Sequence, residues 1–283
     1  MINEDITVLL LTHKSKNLAI KYIKNLYKKF RIIIIDNSND TELKSYINTY
    51  YPEITIKFIE NNGYGAQINY GSKLIKTKYF LISNPDLEGI DENNLIKFLN
   101  AAVNLKDKFS ALGPRYLKVD PKSIDQTDPK KKIAELKILH GACMFFNKKN
   151  FDIIGGFDEN FFLYFEENDF CLRSYKFNKN YQINTIKVVH DGGNSVHLKN
   201  KNEKVINDNF RSWHFMWSKF YFYKKRYSFL IAILFSIPII LRLILRIAFH
   251  FIVRDKKETK KYKARLFGLS NSIIGKKSFF RIN

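Results

Sequence analysis

The sequence predicts an α/β fold: a doubly wound, mostly parallel central sheet flanked by helices and followed by a helical C-terminal tail. Three observations carry this expectation. Apolar, β-branched runs of strand length recur at residues 6–11, 31–35, 54–59 and 79–82, and runs apolar on both faces suit strands covered by helices on either side. Helical spacing fills the intervals, with Ala19, Tyr22, Ile23, Leu26, Tyr27 and Phe30 in the first, a pattern around Leu43 in the second, and one over 68–75 in the third. Strand and helix therefore alternate, which is the signature of parallel crossovers, and such sheets bind ligands beyond the carboxyl ends of their strands.

Later elements follow the same reasoning. Asp91 is the expected N-cap of a helix carrying Leu95, Leu99, Ala102 and Val103. Residues 118–132, polar with Pro121, Pro129 and a lysine run but no period, are expected to form a mobile loop. Residues 137–146 return to strand character, an acidic stretch then leads into a helix ending near Tyr175, and a strand over 182–189 delivers His190, Asp191, Gly192 and Gly193 to its end. Cys143 and Cys171 lie in apolar runs without zinc-type spacing and are expected to be buried free thiols.

A chain of 283 residues is long enough for one sizeable core plus an appendage. The expected division is a main domain over 1–226 and a tail over 227–283. The net charge of +21 suits nucleic acid, anionic lipid or a diphosphate substrate. Its distribution narrows the choice, because residues 224–283 hold fifteen Lys and Arg against only Asp255 and Glu258. The excess sits beside the apolar run 229–253, and no nucleic-acid-binding motif accompanies it, so no nucleic-acid partner is expected. That run is interrupted only by Ser236, Pro238, Arg242, Arg246 and His250. Its length suits a membrane span, yet each central arginine would cost about 2.5 to 3.5 kcal/mol on insertion. A helix lying in the membrane interface, a shallow re-entrant pair broken at Pro238, a single span and a buried soluble helix all remain open, the basic flanks favouring attachment to anionic headgroups. No signal-peptide pattern precedes the first strand, where Glu4 and Asp5 stand, so the expected location is the cytoplasmic face of the membrane, peripheral or shallowly inserted.

The chemistry-bearing residues gather at strand ends. Residues 155–169 crowd Asp158, Glu159, Glu166, Glu167 and Asp169 around an aromatic run. Carboxylates beside apolar surface raise one another's pKa, which suits a proton acceptor, although glutamates at a helix N-terminus also simply complement its dipole. Asn84-Pro85-Asp86 follows the fourth strand run, Asp36-Asn37-Ser38 the second, and a glycine-rich segment spans Asn61 to Gly71. Thr12 to Asn17 contains no glycine, which excludes the nicotinamide-type Gly-x-Gly-x-x-Gly turn.

Taken in order, these motifs resemble the family 2 inverting glycosyltransferases of GT-A fold, and within them the rhamnosyltransferase-like branch. The resemblance rests on Thr12-His13-Lys14, Asp36-Asn37-Ser38, Asn62-Gly63-Tyr64 through Gly71, Asn84-Pro85-Asp86, Gly155 through Arg173, and His190, and it covers about the first two-thirds of the chain. It implies a nucleotide-sugar donor, with dTDP-rhamnose a candidate, and a lipid-linked or polysaccharide acceptor in cell-surface glycan synthesis. It implies donor contacts from Thr12, Asp36, Asn62, Gly63, Gly65, Asn69, Asn84 and Asp86. Asp86 and His190 would hold Mn2+ or Mg2+, with His140 and His197 as rivals to His190. Glu167 aligns with the family's general base, where an aspartate is usual, and Glu166 or Asp169 are its substitutes. Phe162, Tyr164 and Arg173 are acceptor-side candidates, with core packing for the aromatics and an Asp169 pair for Arg173 as the competing readings. Because Glu167 and Lys14 depart from the family pattern, a catalytically inactive, nucleotide-sugar-binding member of the same fold is the alternative function.

Overall fold

The computed structural model describes residues 3–118, 125–190 and 201–281. Pro121, Asp191, Gly192, Gly193 and His197 therefore lie outside the described residues. The chain parts into two compact units, one of residues 1–157 and 167–197, the other of residues 158–166 and 198–283.

The first unit is built on a nine-stranded mixed sheet. Its parallel half comprises β1 (Asn3–Thr12), β2 (Phe30–Asp36), β3 (Thr55–Phe58) and β4 (Tyr79–Ser83), in the order β3-β2-β1-β4. Helices α1 (Lys16–Lys24), α2 (Thr41–Tyr50) and α3 (Tyr64–Ser72) make the crossovers. Side chains alternate across each strand, so Val8, Leu10, Ile32 and Ile34 pack into one core layer, and Leu9, Leu11, Ile33 and Ile35 into the other. Both layers exclude water, which is why these strands read as unbroken apolar runs. Leu9 pairs with Ile33 on one side and Ile82 on the other, bringing Thr12, Asp36 and Ser83 to the same sheet edge.

Beyond β4 the sheet is mixed. β5 (Leu87–Glu88), β6 (Ala111–Leu117), β7 (Ile133–Glu135), β8 (Cys143–Asn147) and β9 (Asn180–His190) complete it, with α4 (Glu92–Asn104), α5 (Lys148–Ile154) and α6 (Glu166–Ser174). β8 runs antiparallel to its neighbours β4 and β6, and β5 to β9, while β6 and β9 pair parallel. Asp91 caps α4 as expected, its carboxylate accepting from Asn94 N–H at 2.8 Å. Two readings change. Phe30 opens β2 instead of closing the first helix, and only the end of the strand-like run 137–146, from Cys143 on, enters the sheet as part of β8. The described part of the polar segment, 125–132, is held to β9 by hydrogen bonds: Thr127 N–H donates to Gln182 Oε1 at 2.8 Å, and Asn184 Nδ2 to the Asp128 and Lys131 carbonyls at 3.0 and 2.8 Å. Gln182 and Asn184 are buried amides, so leaving this segment mobile would strand them without partners. Cys143 and Cys171 are buried free thiols.

The second unit holds α7 (Lys201–Arg226), α8 (Phe229–Ile252) and α9 (Lys256–Ile273). Met216, Phe220, Ala232, Leu243 and Leu269, drawn from all three helices, form its small core. The C-terminal segment straps onto α7. Trp217 Nε1 donates to the Lys276 carbonyl at 2.9 Å, and buried His214 bonds the Phe280 carbonyl through Nε2 at 2.8 Å and the Ser278 hydroxyl through Nδ1 at 2.9 Å. A carbonyl only accepts, so Nε2 carries the proton, and burial pushes His214 down to about 4, keeping it neutral. The residue 226/227 boundary expected from sequence thus runs through a unit in which α7 packs on the helices that follow it.

α8 continues unbroken through Pro238, which corrects the re-entrant reading. It is the one helix among the described residues long and apolar enough to cross a membrane. It is no buried core helix either, since Leu230, Leu234, Leu241, Leu245 and Ile252 are 58% to 77% exposed along its whole length.

Ending the chain after Tyr223 removes the partners of Trp213 and Phe220, each 1% exposed. Stripping an aromatic of its packing costs about 3 to 5 kcal/mol per site, more than a unit this small can absorb. The truncated protein is expected to bind the dye ANS and lose helical circular dichroism relative to the full chain; unchanged spectra would show α7 to be independent of the tail.

Candidate active site

The carboxyl edge of the parallel strands is organised around Asp36. Its side chain is fully buried and accepts from Thr12 Oγ1 at 2.9 Å, Ser38 N–H at 2.9 Å, Asp40 N–H at 3.1 Å and the Ser38 hydroxyl at 3.0 Å. Thr12 is likewise buried. Both residues stand at the strand ends where sequence put them, and their polar groups tie the end of β1 to the turn between β2 and α2. The partly exposed groups at this edge are His13 and Asn37, joined from Nδ1 to Oδ1 at 2.7 Å. Gln67, buried on α3, holds this pair from below through Asn37 Nδ2 at 3.3 Å. Asn62 is exposed, whereas Gly63 and Gly65 are buried at the start of α3.

The second cluster arises from strand pairing. Leu87 pairs with His190 across β5 and β9, which sets Asp86 beside His190, Nε2 to Oδ1 3.4 Å. Asp86 is buried and the facing Nε2 of His190 is withdrawn from water, and among the described residues neither Asp86 oxygen nor His190 Nε2 has a hydrogen-bond partner. A carboxylate and an imidazole nitrogen set side by side without partners are a ready pair of ligands for a cation. The donor set, one carboxylate and one imidazole, fits Mn2+ or Mg2+ whose remaining positions are taken by phosphate oxygens and water. No group of three or more His, Cys, Asp or Glu able to hold a metal exists among the described residues, so this chain would supply few ligands. His140 stacks edge-on to His190, ring centres 5.4 Å apart. Burial first, then the neighbouring His190, pushes His140 down to about 4, and its Nδ1 accepts from Ala142 N–H at 3.3 Å.

Glu167 lies in the first turn of α6, partly buried. Burial raises its carboxyl above the usual carboxylate range, opposed by its own N–H and that of Asn168 at the helix N-terminus. Gly141 makes room for it: a Cβ there would sit 3.2 Å from Glu167 Cβ and 3.4 Å from Cγ. The same residue links Glu167 to the other motifs, because the Tyr64 hydroxyl lies 2.9 Å from the Gly141 carbonyl and 3.0 Å from Asn84 Oδ1.

Other sequence candidates serve the scaffold. Asn69 grips the Phe157 backbone with both ends of its amide, each at 2.9 Å. Gly156 permits this through its positive φ of 66°, and a Cβ there would fall 2.5 Å from Asn69 Oδ1. Asp169 is paired with Arg173 Nε at 2.8 Å, and the same guanidinium donates to the Ile154 and Gly156 carbonyls. Asp169 is thereby paired with a fixed cation, and three of the five Arg173 N–H donors go to protein groups. In the second unit Phe162 is buried, stacked on His214 and beneath the Arg281 guanidinium at 3.7 Å. Tyr164 accepts from Arg211 Nε at 2.7 Å. Glu166, the first residue of α6, is buried at 5% exposure.

Sequence reasoning passed over Gly141 and Gln67. Gln67 lies within the glycine-rich segment 61–71 without being singled out there, and Gly141 stands in no motif and matters only because the chain folds Glu167 against it.

Comparison with known proteins agrees with this geometry. A sequence model described as glycosyl transferase family 2 matches residues 16–157. The low-salt glycan biosynthesis hexosyltransferase Agl10 of Haloferax volcanii is 25% identical over 218 residues, 66% of this chain and 67% of that protein. Among solved structures, S. aureus TarS 1–349 in complex with UDP has a TM-score of 0.54 at 14% identity, covering 99% of this chain and 94% of that one. GalNAc-T7 with UDP, GalNAc and Mn2+ has a TM-score of 0.53 at 13% identity, covering 65% of this chain but only 43% of its own. At such identities the structural likeness speaks for the fold alone, a GT-A-like sheet flanked by helices. With half of its length matched by the family and the motifs gathered at one sheet edge, the chain belongs to glycosyl transferase family 2.

Proposed function

We propose that this chain is an inverting glycosyltransferase that moves a sugar from a nucleoside diphosphate donor to a glycan or lipid-linked acceptor. The observation that carries the reading is the Asp86 and His190 pair, a carboxylate oxygen and an imidazole nitrogen 3.4 Å apart whose buried facing atoms have no hydrogen-bond partner among the described residues. A divalent cation held there would relieve the negative charge developing on the departing diphosphate. Asp86 and His190 orient the diphosphate end of the donor, and Asn84, steadied by Tyr64, lies one residue from that carboxylate's turn. Glu167 takes the proton of the acceptor hydroxyl as its oxygen bonds to the anomeric carbon. The carbon–oxygen bond to diphosphate breaks on the opposite face, and its electron pair leaves with the phosphate. A carboxyl raised by burial is a stronger base than an ordinary one, which suits this task. The space opened by Gly141 accommodates a glutamate where the family carries an aspartate, and this supports an active site over an inactive one.

The resemblance to the rhamnosyltransferase-like branch makes dTDP-rhamnose one donor of the required class. Attachment to the cytoplasmic face of the membrane is supported by the exposed apolar face of α8, with Arg242 and Arg246 also exposed and Lys224, Lys225 and Arg226 just before it. Because α7 and α9, rich in lysine and arginine, pack against α8, an orientation in the plane of the interface suits it better than a span, which would draw those cations into hydrocarbon.

Screening the full chain against a panel of nucleotide sugars, with donor binding and hydrolysis both read, tests the function; binding of none would overturn it. In a Mn2+ titration with nucleoside diphosphate present, Asp86→Ala and His190→Ala are each expected to lose at least about tenfold in metal affinity. A residue whose replacement leaves the titration unchanged does not belong to the metal site. Glu167→Gln is expected to keep donor affinity and lower transfer by about 10² to 10⁴-fold. Since the base acts only when deprotonated and its pKa is raised, wild-type activity should fall as pH drops through a value above the usual carboxylate range, and Glu167→Gln should lose that acidic limb. Glu166→Gln emerging as the inactive variant would move the role to Glu166.

A further inference from the structure

The short segment His140-Gly141-Ala142, just before β8, touches three parts of the site at once. Asn84 N–H donates to the Ala142 carbonyl at 3.1 Å, which carries the ladder between β4 and β8 one residue past Ser83 and Cys143. The His140 ring stands edge-on to His190. The segment also runs along α6. Leu139 N–H donates to Cys171 Sγ at 3.4 Å, and Gly141 meets the Glu167 side chain, where an added Cβ would fall 3.6 Å from Cδ as well. Glu167 and Cys171 are four residues apart and share one face of that helix.

A side chain from outside the segment fixes its middle. A glycine has no side chain to be held by, so its peptide must be fixed through backbone groups. The hydroxyl of Tyr64, the first residue of α3, does this from 2.9 Å at the Gly141 carbonyl. The same oxygen stands 3.0 Å from the Asn84 amide. The carbonyl takes the hydroxyl proton, and the amide either shares that proton or, turned over, donates an N–H to the oxygen. In both orientations Tyr64 joins the Asn84 turn to the peptide against which Glu167 lies. Its ring packs, partly buried, on the core layer that holds Leu139, Met144 and Cys171, so the hydroxyl is carried on a fixed stem.

We infer that Tyr64 is a positioning residue for Glu167: its hydroxyl, acting through the Gly141 peptide, sets where the Glu167 carboxyl stands relative to the Asn84 turn. This rests on the reading of Glu167 as the proton acceptor of a glycosyltransferase. A glutamate has one more rotatable bond than an aspartate, and it depends on its surroundings to hold one rotamer. The Gly141 peptide is the wall it lies against. Without the hydroxyl that peptide is free to turn, the carboxyl loses its wall, and water reaches it. Tyr64 touches no reacting atom in this role.

The test compares wild type, Tyr64→Phe, Glu167→Gln and the double variant as full chains with Mn2+. It reads hydrolysis of whichever nucleotide sugar of the panel wild type turns over, and separately binding of the corresponding nucleoside diphosphate. Tyr64→Phe keeps the ring and is expected to lower kcat about tenfold to hundredfold, the scale on which a small misplacement acts, with diphosphate binding changed by less than about twofold. Its acidic limb should move to lower pH, because a carboxyl that regains water returns toward the ordinary carboxylate range. In the Glu167→Gln background the same change should cost less than about twofold, since a group that acts through Glu167 has nothing left to position. Gly141→Ala, which presses on Glu167 from the same wall and leaves the Tyr64 hydroxyl in place, should lower kcat in wild type and be similarly silent beside Glu167→Gln. An unchanged kcat in Tyr64→Phe, equal losses in both backgrounds, an acidic limb that does not move, or weaker diphosphate binding at unchanged kcat would each overturn the inference while leaving the transferase reading intact. A wild type that binds and turns over no nucleotide sugar would overturn both.

Discussion

The buried Asp36 carboxylate is the tie on which the donor-side edge of the sheet depends. A carboxylate withdrawn from water is tolerable only when its lone pairs are met. Here the hydroxyls of Thr12 and Ser38 and the N–H groups of Ser38 and Asp40 meet them. These bonds join the end of β1 to the turn after β2, and they fix the loop that carries His13, Lys14 and Ser15. Removing the charge would loosen two strand ends at once.

The opposite condition holds at Asp86 and His190. Their facing atoms are buried and unmet, which is a defect in a scaffold and an asset in a site that must grip a cation. The strand register that brings them together comes from β5, only two residues long, laid antiparallel on the end of β9. Glu167 stands under a third regime, partly withdrawn from water yet touched by helix N-terminal N–H groups, so its carboxyl is raised but still ionisable. Three carboxylates of ordinary chemistry thus reach three states through what surrounds them: one met by four donors, one buried without a hydrogen-bond partner among the described residues, and one raised yet touched by helix N–H groups.

The second unit answers to a different constraint. α8 is apolar around nearly its whole circumference, and its packed face is narrow, with Ala232, Ser236 and Leu243 buried. An amphipathic helix can hide its apolar stripe within a soluble protein; one apolar all round cannot, and needs either deeper burial or lipid. Beside Arg242 and Arg246 on α8, most of the basic residues lie on α7, α9 and the turns, so it is the helical unit more than α8 by itself that is amphipathic. His214 and Trp217, bonded to the C-terminal segment, show that the unit also has a polar interior that a loosely appended anchor would lack.

Much of this was decided by sequence alone. The unbroken apolar runs determined the parallel strands, because a strand covered on both faces has no position left for a polar residue. Asp91 determined the start of α4 through a local cap, and the ordered motifs at strand ends carried the family. What sequence could not decide depended on contacts between distant segments. Strands β5, β6 and β7 are too short or too mixed to show a period, and exist because longer strands offer them an edge. Whether Asp36, Asn69 and Arg173 face a ligand or the protein turned on where Thr12, Phe157 and the Gly156 carbonyl arrive in space. Gly141 gained its meaning only when the chain brought Glu167 against it, and Gln67 only when its amide met the Thr12 and Ile35 carbonyls of two strands. Local propensity is written in neighbouring residues; the state of a buried polar group is set by whichever partners the fold delivers to it.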